Sequence, residues 1–284
     1  MINTLSRLKE GAKLEYITVK LIYIAIFIFI IHSVETLAYA VRLSGARVRM
    51  IASALSLFNI MVMISRLANM MQQPFTGSLI DTAPNYNTLD FVDSQFRFLL
   101  GASTIGTLFG IFLLPSFIAL FSRAIIYLSE ENGSIPSLFR RIFSLQYIKR
   151  GISHFSLPKV SYLKNTKLKD IPVRLFIINM IITSIYTIGV LSALYAALIA
   201  PERASTAIMA SGLINGVATI LLVIFVDPKV SVVADDVVNG KGSYQVLKNL
   251  SLMMVTSRLL GTLLAQLLLI PGAKYIAWFT KFIV

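Results

Sequence analysis

The chain has no cysteine and only two histidines, His32 and His154, in 284 residues. Disulfides, thiolate metal ligands and thiol nucleophiles are therefore excluded, and a His-rich metal centre with them. Charge is scarce as well: 14% of residues are charged and 56% are hydrophobic, with a mean hydropathy of +0.78. A soluble domain of this length has no interior large enough for so much apolar surface, so the composition indicates a polytopic membrane protein. Acidic residues are the scarcer sign, 13 against 26 Lys and Arg, for a net charge of +13. In a chain this apolar, that surplus points to anionic membrane lipids or an anionic substrate and not to nucleic acid. Phosphate-loop chemistry is absent too. Gly240-Lys241-Gly242-Ser243 lacks the earlier glycine of the G-x-x-x-x-G-K-[ST] pattern. Asp235 and Asp236, adjacent in sequence, point in different directions on a helix and read as a solvated loop.

What is present is a set of long apolar runs. A membrane span needs about 20 predominantly apolar residues, and six segments qualify: 17–41, 50–71, 97–128, 173–200, 204–226 and 249–281. The expected fold is all-α with six transmembrane helices. The third and sixth segments each carry an internal proline, Pro115 and Pro271, a known cause of kinks. The N-terminal run, with Ala38-Tyr39-Ala40 near its end, imitates a signal peptide and its cleavage site. Its length and its internal Glu35 favour a retained span. A loop carrying Asp81, Asp90 and Asp93 separates the second and third spans. A long basic stretch follows the third, and its residues 138–150 read as an amphipathic helix on the membrane surface.

The organisation expected from these features is an extension at 1–16, a three-helix half at 17–128, a basic loop at 129–172 and a second half at 173–284. Sixteen of the 26 cations fall on the side of the basic loop and eight on the side bearing the termini; Arg66 and Arg258 are left in the bilayer. The positive-inside rule then places the loop in the cytoplasm and both termini outside. A shift of 156 residues lays Tyr39-Ala40 on Tyr195-Ala196, Arg47 on Arg203, Asn59 on Asn215 and Pro115 on Pro271. A repeat of three spans must reverse its direction, which gives a 3+3 inverted repeat with the substrate path between the halves.

Charges within the apolar runs are the candidate functional residues. A charge at bilayer depth costs at least about 2.5–3.5 kcal/mol, so it is retained only against a partner or a wet cavity. His32, Glu35, Tyr39 and Arg42 share one face of the first span. Ser56, Asn59, Arg66, Asn69 and Gln73 share one face of the second, and Arg258, Thr262 and Gln266 one face of the last. The neutral members are also explicable as interhelical hydrogen-bonding groups. Arginine exceeds carboxylate in this set, and guanidinium forks match phosphate oxygens. A net cationic cavity binding a phosphorylated substrate follows. Its candidate lining is Glu35, Arg42, Arg47, Asn59, Arg66, Asn69, Gln73, Arg258 and Gln266, with Arg42 and Arg47 at a cytoplasmic mouth. No metal or cofactor is implied. The alternatives are a secondary transporter for a small anion, with Glu35 and His32 as a proton relay, and a membrane scaffold that transports nothing.

The stretch Glu35-Thr36-Leu37-Ala38-Tyr39-Ala40-Val41-Arg42-Leu43-Ser44-Gly45, then Arg47, Ala54-Leu55-Ser56-Leu57-Phe58-Asn59 and Ser65-Arg66-Leu67-Ala68-Asn69-Met70, resembles the Amj family, bacterial lipid II flippases alternate to MurJ. The resemblance is dense from His32 to Asp81 and looser beyond. It implies movement of an undecaprenyl-pyrophosphate-linked peptidoglycan precursor from the inner to the outer leaflet of the bacterial cytoplasmic membrane, without enzymatic turnover. It names no substrate-contacting residue. A homodimer is compatible with the sequence but is not dictated by it.

Overall fold

The computed structural model describes residues 17–85, 87–131, 137 and 172–284. The extension at 1–16 and the amphipathic segment at 138–150 lie outside the described residues. Every regular element described is helical: α1 (Val19–Val48), α2 (Ile51–Asp81), α3 (Thr88–Glu130), α4 (Val173–Ile199), α5 (Ala204–Leu221), α6 (Asp227–Val238) and α7 (Tyr244–Phe279). A five-residue π-helical stretch, Leu222–Val226, joins α5 to α6, so the two run as one broken span. Among the described residues, six segments are long and apolar enough to cross a membrane.

The helices exceed the apolar windows because a helix does not stop where hydrocarbon gives way to headgroups. α2 continues ten residues past the expected end, through Pro74 to Asp81, and α3 starts at Thr88. Most of the expected acidic loop is therefore helical, and Arg97 Nε pairs with Asp93 Oδ2 at 2.8 Å one turn away. Asp235 and Asp236, expected in a loop, lie in the last turns of α6. α1 runs unbroken through Ala38-Tyr39-Ala40, and all three residues are buried.

The break between α5 and α6 has a local cause. Pro228 has no N–H, and its ring clashes with a carbonyl four residues back in a regular helix. Widening the preceding turn relieves that clash, and the Asp227 N–H reaches back to the Leu222 carbonyl.

Each half is built around its first helix. α1 packs along α3 and α2, while α4 packs along α7 and α5; contact between the outer two helices of either half is slight. The tight pairs use glycine against backbone. A Cβ at Gly106 would collide with the Phe29 carbonyl, and one at Gly261 would sit 2.7 Å from the Met180 carbonyl. Hydroxyls reinforce both pairs, Ser33 Oγ donating to the Gly106 carbonyl at 3.0 Å and Ser192 Oγ to the Leu269 carbonyl at 3.0 Å. Small residues at such seams are what lets helices associate in lipid, where hydrophobic burial gives no drive. α5 lies at the periphery, turning Met209, Leu213, Val217 and Ile220 outward.

The interior is layered. One apolar cluster joins Leu21, Ile24, Phe96, Leu99, Leu194, Ala207 and Leu269 near one end of the bundle. Another joins Leu43, Leu57, Ile125, Leu175, Val226 and Leu247 near the other. Between them lies a buried polar belt containing His32, Ser33, Thr36, Ser65, Ser103, Thr107, Thr183, Ser184, Ser257, Arg258 and Thr262.

Candidate functional site

Two ion pairs cross from one half to the other inside this belt and just below it. Glu35 of α1 pairs with Arg258 of α7, and Arg42 of α1 pairs with Asp227 at the start of α6 through Nη2 to Oδ1 at 2.6 Å. Glu35 and Arg42 are seven residues apart, two turns on one face of α1 or about 10 Å along the helix. The polarity of the pairs alternates: the first half gives the acid to one and the base to the other.

Further contacts hold each pair. Ser65 Oγ of α2 donates to Glu35 Oε1 at 2.7 Å. Arg258 Nη2 lies 3.5 Å from His32 Nδ1, which joins the histidine to the cluster. The Arg42 guanidinium stacks 4.3 Å above the Phe58 ring centre. Its Nε and Nη1 are buried and make no hydrogen bond among the described residues. The Asp227 carboxylate and the aromatic face together compensate this desolvated guanidinium.

Glu35, Asp227 and Arg258 line a cavity of about 60 Å³ between the halves, together with Tyr39, Phe58, Thr183, Tyr186 and Arg66. Arg66 is half-buried there and makes no ion pair among the described residues. A second cavity of about 30 Å³ is lined by His32, Asn69, Gln72, Ser103 and Thr187. Tyr186 borders both. A single water occupies about 30 Å³ of liquid, so the two spaces hold a few waters at most.

The candidate residues divide accordingly. Glu35, Arg66 and Arg258 meet in the first cavity and Asn69 lines the second. Arg42, expected at an open mouth, is instead 6% exposed and sealed against Asp227. Arg47 is exposed on the last turn of α1. Asn59 faces outward, and Gln73 is half-buried one residue from the buried Gln72. Gln266 is taken up in a reciprocal pair between α3 and α7: its Nε2 donates to the Arg97 carbonyl and Arg97 Nη1 donates to the Gln266 carbonyl, both at 3.0 Å. The buried polar face of α2 is Ser65, Gln72 and Thr76, rotated from the expected stripe.

Asp227, Tyr186 and Ser65 were not among the candidates. The signal for Asp227 was present: an Asp-Pro step closes a strongly apolar run, and the window at 204–226 stops one residue short of it. Its inclusion changes the charge balance at the interface to three arginines against two carboxylates.

The polar residues that approach one another here come largely from the segments that carried the family resemblance. The family profile described as Amj, alternate to MurJ, matches residues 27–280. The chain belongs to the Amj family. A relative from Bacillus subtilis (strain 168), named lipid II flippase Amj, is 64% identical over 265 residues, covering 93% of this chain and 98% of its own length. No solved structure matches. Taken with its six spans, this Amj-family chain is a multi-pass membrane protein.

Proposed function

We propose that this protein flips lipid II, moving its sugar-peptide headgroup along the polar belt between the two halves while the polyprenyl tail stays in hydrocarbon. The observation that carries this reading is Arg66, a cation in the inter-half cavity with no carboxylate of its own. The name of the relative from Bacillus subtilis supplies a substrate of the complementary sign. Polyprenyl-linked pyrophosphate is anionic, and guanidinium binds its oxygens in bidentate fashion.

A cavity of about 60 Å³ is far too small for that headgroup. Passage requires the halves to part, and parting breaks Glu35–Arg258 and Arg42–Asp227. A buried arginine stripped of its partner is costly. The pyrophosphate offsets this by taking the place of the carboxylates: Arg66 offers it a cation that has no carboxylate, while Arg42 and Arg258 exchange Asp227 and Glu35 for phosphate oxygens. When the headgroup leaves, the carboxylates return and the halves close. The ion pairs thus act as latches that an anionic headgroup, and no neutral one, opens at low cost.

The matching helix pairings of the two halves, α1 with α3 and α4 with α7, support an inverted repeat as the frame of this movement. With the basic loop in the cytoplasm, the inside-negative potential favours outward transfer of each negative charge by about 2.3 kcal/mol per 100 mV, without ATP.

Labelled lipid II in proteoliposomes tests the reading. Wild-type protein exposes the headgroup to the opposite leaflet, and Arg66→Ala slows this at least about tenfold, the loss of one charge-assisted contact. Wild-type rates from an Arg66→Ala protein that inserts normally would overturn the role of Arg66. Uptake of a soluble anion without lipid II exposure would overturn the function.

A further inference from the structure

A cavity larger than either space in the inter-half belt lies away from that belt, at the end of the bundle where α4 and α7 begin. It is a groove of about 610 Å³ between α4, α6 and α7. Its floor is apolar, built by Ile178, Val233, Leu250 and Met253, and its rim carries Arg174 and Lys229. Both cations are exposed, and neither has an ion-pair partner among the described residues. An apolar trough with two unneutralised cations at its lip suits a molecule with an anionic head and a hydrocarbon stem.

The groove also adjoins the inter-half cavity. Ile178 lines the groove and Ile182, one turn on, lines the cavity; Phe225 faces the groove and Leu222, at the other end of the π stretch, faces the cavity. On α6 Asp227 turns to the cavity and Lys229 to the groove. The partition between the two spaces therefore runs through this turn of α4 and the π-helical break, where backbone hydrogen bonding departs from the α pattern. Such breaks recur at functional sites in helices.

We infer that this groove is the loading site for the substrate lipid, seating its pyrophosphate between Arg174 and Lys229 and its first isoprene units on the apolar floor before the headgroup passes the π break. This deepens the flippase reading and rests on it. Two unneutralised rim cations match a diphosphate better than the single phosphate of the bulk phospholipids, and continuity with the cavity gives the occupant an onward path. The cation bias puts this end of the bundle in the cytoplasm, the leaflet from which an outward flippase loads.

Two measurements in wild-type-like membranes decide it. In proteoliposomes, the Arg174→Glu/Lys229→Glu variant needs at least about tenfold more lipid II for half-maximal flipping, because both cations at the lip are reversed to repel the anionic headgroup. Its maximal rate stays near wild type, and Lys274→Glu, at the other end of α7, shifts nothing. An unchanged half-saturation would overturn the groove as loading site. In nanodiscs, a photo-crosslinking benzoylphenylalanine replacing Val246 captures radiolabelled lipid II, with competition by unlabelled lipid II and none by phosphatidylglycerol. Capture of phosphatidylglycerol to the same extent, or of the chain's own residues alone, would overturn it as well. Specific capture by a protein that flips nothing would leave the groove as a binding site while the transport reading fell.

Discussion

Arg258 and Glu35 lie in a layer where neither can ionise alone without penalty, so their worth to the fold depends on both being present. Removing one partner of a buried ion pair costs about 3–5 kcal/mol, whereas replacing both with apolar residues of similar volume is close to neutral. Glu35→Met should therefore lower the melting temperature of detergent-solubilised protein sharply, and Glu35→Met/Arg258→Met should recover most of it. If the pair is also a transport latch, the recovered double variant stays inactive in the lipid II assay. Recovery of stability and transport together would reduce the pair to scaffolding. Sequence spacing made these two residues visible, since a charge inside an apolar run is conspicuous. It did not show that they meet, because periodicity assigns a residue to a helix face and says nothing of which helix faces it. Arg42 is the sharper case: its spacing from Glu35 placed both on one face, but Asp227, the partner that turns an open mouth into a sealed contact, fell outside the hydropathy window.

At the scale of elements, helix number and order were legible because six apolar runs of spanning length leave little freedom in an all-α membrane fold. The helix ends were not, since polar residues continue a helix into the headgroup region as readily as they leave it. The seams between helices were equally hidden. Glycine in an apolar run has many uses, and the approach of Gly106 to the Phe29 backbone emerges only from three-dimensional packing. Backbone cannot yield as a flexible side chain does, so Gly106→Ala should destabilise the protein by about 1–3 kcal/mol, the usual cost of overpacking. Gly101→Ala, five residues earlier on α3 with nothing within 4 Å of a new Cβ, should hold or gain slightly. Thermal unfolding of the two purified variants compares them directly, and equal behaviour would mean that the α1–α3 seam is looser than its contacts imply.

For the whole molecule, the direction of transport and the orientation of the chain are one question. The Glu35–Arg258 pair, the cavity with Arg66, the Arg42–Asp227 pair and the groove with Arg174 and Lys229 follow one another along the bundle toward the end where α4 and α7 begin. An anionic headgroup loaded at that end meets cations in sequence, and the membrane potential assists it only if that end is cytoplasmic. Were the chain inverted, the same path would begin outside and run against the potential. The lack of cysteine makes the test direct. Asn85 is exposed in the turn between α2 and α3, and Lys241 is exposed in the turn between α6 and α7, so the two report opposite ends. In intact cells a membrane-impermeant maleimide should label Asn85→Cys at once and Lys241→Cys only after permeabilisation. Labelling of Lys241→Cys from outside would reverse the orientation, and with it the assignment of the groove to loading: the same residues would then form the site of release.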